Sequence, residues 1–127
     1  MSATVLIVDD DPLDRRFMER ALRRAMPGID VLHAADGEEG LWLAASRAPD
    51  VMILDLSMPG TNGFDVLAGL SKAGMRLPVV MMSSSDRRAE RDQAAALGAQ
   101  DFVAKPRSAH GYFTTSDRIC QEYLNQK

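Results

Sequence analysis

A chain of 127 residues has room for one domain of ordinary size. Its 46% hydrophobic and 26% charged residues fit a folded soluble domain and exclude a disordered tail, while its apolar runs fall far short of the roughly 20 residues that a membrane-spanning helix needs. The net charge is −3 and the basic residues are scattered among acids, which excludes a stripe able to track phosphates, so no direct nucleic-acid binding is expected.

Thr4 to Val8 is a β-branched run with no polar face, as expected of a strand covered on both sides of a parallel sheet. It lacks the basic flank of a secretory signal and runs straight into Asp9, Asp10 and Asp11, so a cytoplasmic location is expected. Asp11-Pro12 reads as an N-cap and first helical position, after which Leu13, Phe17, Met18, Ala21 and Leu22 recur at helical spacing until Pro27 and Gly28. Asp30 to Ala34 is a second strand, and Asp36 caps a helix reaching about Arg47, broken at Ala48, Pro49 and Asp50. Val51 to Leu54 is the clearest strand and ends at Asp55, ahead of a Pro59 to Gly63 loop. A third helix reaches about Lys72, and Leu77 to Met82 forms a fourth strand ending in Ser83, Ser84 and Ser85. Asp86 is expected to cap an Ala-rich helix stopping at Gly98, and Asp101 to Ala104 is the fifth strand, ending at Lys105. A last helix is placed near Asp117 to Asn125, because Thr114, Thr115 and Ser116 are poor interior helix residues and suit a loop or cap.

Strands alternating with helices argue for βαβ units with right-handed crossovers, and five of them make an α/β, flavodoxin-like (βα)5 doubly wound sandwich. The strand order expected for that class is 2-1-3-4-5, with ligands bound beyond the carboxyl ends of the strands. Asp9 and Asp10, Asp55, Ser83 and Lys105 follow four of those ends, so carboxylates, a hydroxyl and an ammonium should share one edge. Nearby carboxylates repel one another and persist when cations neutralise them. Lys105 can supply one charge, and a hard divalent ion suits an all-oxygen donor set, Mg²⁺ better than zinc. Such a site can neutralise charge on a transferring phosphoryl group, with a carboxylate as nucleophile.

The acidic cluster after the first strand, the segment Val-Met-Ile-Leu-Asp-Leu-Ser-Met-Pro-Gly-Thr-Asn-Gly from Val51 to Gly63, the hydroxyl closing the fourth strand, and Lys105-Pro106 together resemble the receiver domains of bacterial two-component response regulators, of the standalone, chemotaxis-regulator-like kind. The resemblance runs in order from residue 4 to residue 106. It implies that Asp55 is the phosphoryl acceptor, that Asp10 contacts a Mg²⁺ ion directly with Asp9 assisting, partly through water, that the Ser57 backbone carbonyl joins the coordination sphere, and that Mn²⁺ can substitute for Mg²⁺. It also implies that Ser83 and Lys105 hold phosphoryl oxygens, that Phe102 is the switch aromatic, and that Lys105-Pro106 is a cis peptide. The small residues Ser57 and Ser85 would leave an acyl phosphate unshielded and fairly short-lived. On this resemblance residues 1–127 form a single receiver with no output domain, a switch that catalyses only its own phosphoryl transfer and slow dephosphorylation. Its donor would be a sensor histidine kinase or histidine phosphotransfer protein, its target another protein, and its state a monomer or a phosphorylation-dependent dimer.

Other readings of the same residues are plainer. Asp11 is better explained as a cap than as a ligand, and Asp36, Asp50 and Asp86 as caps or turn residues. His33 and His110 lack the paired spacing of a metal site, Trp42 and the eight methionines suit core or partly exposed packing, and lone Cys120 suits a buried, inert thiol. Arg107 departs from the apolar residue more usual in the family after the Lys-Pro pair. An aspartate-nucleophile, Mg²⁺-dependent phosphohydrolase would also use an acidic strand end, but it resembles a pattern with a second Asp where Ser57 stands. A receiver-like docking module that is never phosphorylated usually lacks the acceptor, an acidic ligand or the lysine, and all are present here.

Overall fold

The computed structural model describes residues 2–124. Strands and helices alternate as β1 (Thr4–Val8), α1 (Pro12–Ala25), β2 (Asp30–Ala34), α2 (Gly37–Arg47), β3 (Val51–Asp55), α3 (Gly63–Lys72), β4 (Val79–Ser83), α4 (Arg88–Ala96), β5 (Asp101–Ala104) and α5 (Ala109–Ile119), with a π-helical turn at Cys120–Leu124. Neighbouring strands are all parallel and lie in the order β2-β1-β3-β4-β5, the flavodoxin-like arrangement expected from the alternation of patterns.

Because side chains alternate across a strand, the central strands feed two cores. Leu6, Val8, Met52, Leu54, Val79 and Met81 pack on one face with Val66, Leu67 and Leu70 of α3. Val5, Ile7, Val51, Ile53, Val80 and Met82 pack on the other with Met18, Ala21 and Leu22 of α1 and Tyr112 and Ile119 of α5. Each such large side chain contributes about 1.5–3 kcal/mol on burial, which fixes the register of the sheet. That register sets Val8 beside Leu54, Asp55 beside Met82, and Ser83 beside Ala104, so the strand ends form one edge.

Short caps turn the chain at this edge. Asp11 accepts the Leu13 N–H at 2.9 Å, leaving only Asp9 and Asp10 between β1 and the cap of α1. Asp36 accepts the Glu39 N–H at 2.8 Å, and Asn62 and Asp65 form a reciprocal capping box at the start of α3. At the opposite edge, where the strands begin, Asp50 accepts the Thr4 N–H at 2.8 Å. Cys120 is buried and free, and burial pushes its thiol pKa up.

Several local expectations are corrected. The fourth strand starts at Val79 and includes Ser83, because Pro78 has no N–H to donate to a ladder. Arg87, not Asp86, is the N-cap of α4, and it makes no side-chain cap; the Asp86 carboxylate is instead held by the Arg91 guanidinium at 2.7 Å. The last helix begins at Ala109, and Thr114, Thr115 and Ser116 lie inside it. Ser108 caps it by accepting the Gly111 N–H at 3.0 Å, the Thr114 hydroxyl donates back to the His110 carbonyl at 2.9 Å, and Ser116 is fully buried with its hydroxyl 3.4 Å from Met18 Sδ. Packing against α1 thus overrides weak helix propensity, a tertiary effect that local preference does not carry. The expected end at Asn125 lies outside the described residues. Trp42 is 68% exposed on α2, well short of a core role.

Candidate functional site

The carboxyl edge gathers two of the predicted carboxylates, Asp9 and Asp55, around one ammonium. Lys105, the residue after β5, has its Nζ 3.0 Å from Asp9 Oδ2, 3.5 Å from Asp55 Oδ2 and 2.8 Å from Asp14 Oδ2. Its backbone is fixed by donation of its N–H to the Ser83 carbonyl at 2.8 Å, which extends the β4–β5 pairing by one step. Every peptide bond among the described residues is trans, so the expected cis Lys105-Pro106 bond is not found. The four-carbon lysine stem spans the distance to the carboxylates from a trans peptide, and trans is also the intrinsically favoured isomer.

Asp9, Asp10 and Asp55 each offer a carboxylate oxygen, and these oxygens lie within 4.8 Å of one another. Asp9 and Asp55 are buried while Asp10 is exposed, so the cluster opens to solvent on one side. The donors are hard oxygens, with no His or Cys in the group, a set that fits Mg²⁺ or Mn²⁺ and not a thiolate or imidazole metal. Asp9 Oδ1 accepts the Asp11 N–H at 2.9 Å, which aims Oδ2 at Lys105, and its own backbone carbonyl accepts from Arg15 Nη1 at 2.6 Å.

Charge crowding is visible in the protonation equilibria. Burial, and then the neighbouring charge of Asp9, push the Asp55 pKa up from 3.8 to about 6, against the pull of Lys105. Burial also raises the Asp9 pKa, opposed by the Asp11 N–H and Lys105. Burial alone would lower the Lys105 pKa, yet its hydrogen bonds to Asp14 and Asp9 and the charges of Asp55 and Asp9 outweigh it and hold the ammonium firmly protonated. One ammonium facing three carboxylates leaves excess negative charge, the condition in which a divalent cation is taken up.

The remaining predicted residues fall nearby in different ways. Ser57 is exposed at the mouth and donates its N–H to Asp55 Oδ1 at 3.4 Å. Ser83 is buried at the end of β4, its hydroxyl accepting the Ser85 N–H at 3.0 Å. Phe102 is buried in the core cluster on the α3 side of the sheet, with the Arg91 guanidinium 5.1 Å from its ring centroid, so its ring is packed inward under a cation. Asp11 serves its cap and stays outside the carboxylate group.

Sequence reasoning missed Asp14 and Tyr112. Asp14 stands in the first turn of α1, where an acidic residue is unremarkable beside the helix dipole, and the Tyr112 hydroxyl on α5 donates to its Oδ1 at 3.2 Å. Burial, and then the Asp14 charge, push the Tyr112 pKa well above the usual tyrosine range. No spacing within α1 announces that this carboxylate faces the end of β5.

The chain matches the response regulator receiver domain over residues 5–112. It belongs to that family. It is 45% identical over 102 residues to protein-glutamate methylesterase/protein-glutamine glutaminase 6 of Anaeromyxobacter dehalogenans, covering 80% of this chain and 29% of that protein. It is 37% identical over 106 residues to response regulator MprA of Mycobacterium bovis, covering 84% of this chain and 45% of the relative. The chain thus spans less than half the length of the curated relatives it matches, and the esterase name describes that other protein. In structure it resembles chemotaxis protein CheY4 of Vibrio cholerae, with a TM-score of 0.82 and 29% identity over 94% of this chain and 99% of that one. The receiver resemblance read from the motifs is therefore borne out, and receiver domains are in general signalling switches and not metabolic enzymes. No helix among the described residues is long and apolar enough to cross a membrane.

Proposed function

We propose that this chain is a phosphorylation-activated switch whose acceptor is Asp55, loaded in the presence of Mg²⁺ from a phosphohistidine on a sensor kinase or phosphotransfer protein and read out by a protein partner. The observation that carries this reading is the convergence of Asp9, Asp10 and Asp55 oxygens within 4.8 Å of one another, with the Lys105 ammonium against two of these residues. Asp9, Asp10, Asp55 and the Ser57 carbonyl would hold the ion, which when bound supplies charge neutralisation for the phosphoryl oxygens. An Asp55 oxygen bonds to phosphorus as the P–N bond to the donor imidazole breaks, and the electron pair leaves with the imidazole nitrogen. Lys105 neutralises charge on the transferring group, and the Ser83 hydroxyl turns from its local bond with the Ser85 N–H to a phosphoryl oxygen. Movement of Ser83 frees space beside Phe102, whose changed packing against Arg91 would carry the signal to α4 and β5.

The test is incubation with a small phosphodonor and Mg²⁺, read by intact mass. Wild type should gain one phosphoryl group, Asp55→Asn none, and Asp10→Asn should need more Mg²⁺ while keeping its circular dichroism spectrum. Equal labelling of the Asp55 variant refutes the acceptor assignment. Turnover of phosphate esters would indicate a hydrolase, and an inert wild type a docking module.

A further inference from the structure

Lys105 is not centred on the residue it is proposed to serve. Its Nζ is 2.8 Å from Asp14 and 3.0 Å from Asp9 but 3.5 Å from Asp55. Asp14 belongs to α1 and lies outside the Asp9, Asp10 and Asp55 oxygen cluster, so an ion engaging that cluster does not need it. Its two oxygens are both committed, Oδ2 to Lys105 and Oδ1 to the Tyr112 hydroxyl, so the carboxylate is pinned between the site and α5. An acid that served only the dipole of α1 would not require the ammonium contact.

We infer that Asp14 is a resting-state anchor for Lys105, a positioning residue that draws the ammonium toward α1 and must yield it when a phosphoryl group on Asp55 competes for it. This rests on the receiver reading proposed above. An interaction present in the unloaded form and weakened in the loaded form opposes loading by its own free energy, so its removal favours the loaded form. Side-chain exposures of 26% for Asp14 and 17% for Lys105 place the pair between a weak surface bridge and a fully buried one. Removing it should therefore tighten binding of a phosphoryl mimic about three- to tenfold. The same step leaves Asp14 with Tyr112 as its remaining partner, which ties occupancy of the site to α5.

The experiment titrates beryllofluoride, a phosphoryl mimic, into the purified chain with saturating Mg²⁺, for wild type, Asp14→Asn and Asp14→Glu. Asp14→Asn keeps the size of the side chain and an acceptor for the Tyr112 hydroxyl but removes the charge. It should bind the mimic more tightly, whereas Asp14→Glu, which restores a carboxylate, should return toward wild type. In metal-free protein, the Lys105 ammonium ¹⁵N signal should shift in Asp14→Asn and Tyr112 ring signals should move with it. Unchanged or weaker mimic binding by Asp14→Asn overturns the anchor, as does an unmoved Lys105 signal. If Asp14→Asn does not fold, Asp14→Ser is read in the same titration against the same criteria. A wild type that takes up no mimic overturns the acceptor reading and the anchor with it, and an intact metal-free Lys105 response then shows that the acceptor reading, not the ion pair, is what failed.

Discussion

Asp55 should cost the metal-free protein stability at neutral pH, and its neutral isostere should recover it. The carboxyl is buried and its pKa is raised from 3.8 to about 6, chiefly by burial and then by Asp9. A raised carboxylate pKa means that the folded state binds more protons than the unfolded state between those two values. Stability therefore falls as pH rises through that window and levels off above about 6. Two pKa units correspond to about 3 kcal/mol, an upper figure for a group coupled to Asp9 and Lys105. Asp55→Asn in chelator should then be about 1–3 kcal/mol more stable than wild type at pH 7.5, with the difference vanishing near pH 4, where both side chains are neutral. Urea unfolding followed by far-ultraviolet circular dichroism is the suitable assay, because Trp42 is largely exposed and its fluorescence reports poorly on the core. Adding Mg²⁺ should stabilise wild type more than the variant, since an ion that binds only the folded state stabilises it by mass action. A metal-free Asp55→Asn protein no more stable than wild type at pH 7.5, or a gain that persists undiminished to pH 4, would refute the reasoning.

Two further substitutions test the supports of the site. Lys105→Met removes the ammonium shared by Asp9, Asp14 and Asp55, and should destabilise metal-free protein at pH 7.5 by about 2–3 kcal/mol, with less loss at pH 5 and partial recovery in Mg²⁺, measured by the same unfolding curves. Gly63→Ala would set a Cβ 2.8 Å from Leu56 Cα and 3.0 Å from the carbonyl oxygen of Asp55, the proposed acceptor. A loss of about 1–3 kcal/mol in denaturant is expected, together with shifted amide signals at Asp55 and Leu56.

The sheet was legible because burial on both faces leaves so little choice in sequence. Val51 to Leu54 is apolar at every position, and its neighbours in β1 and β4 are likewise buried throughout or nearly so. The site was legible for a related reason, since topology alone carries a residue that follows a parallel strand to the shared edge, and Asp9, Asp55, Ser83 and Lys105 each follow or end one. What was lost belongs to contacts between helices. Thr114 and Ser116 read as helix-breaking until Ser116 is seen buried against Met18 and Thr114 bonded within its own helix. A lysine backbone in the trans form and a cap displaced from Asp86 to Arg87 depend on side-chain reach and on a competing guanidinium, neither of which has a local signature.

Asp14 shows the same limit with functional weight. In sequence it is one acid in the first turn of α1, and only the packing of α1 against α5 and the end of β5 brings it to Lys105 and Tyr112. An electrostatic site is defined by every charge within reach of the shared cation, not by the residues that touch the reacting atoms. With Asp14 counted, Lys105 faces carboxylates from three directions, and the closest of them is not the proposed acceptor. On the proposed switch, the ease of loading Asp55 is set partly by a residue that shares the ammonium with it. On the anchor proposal, changing Asp14 shifts the balance between unloaded and loaded forms without altering the Asp9, Asp10 and Asp55 carboxylates.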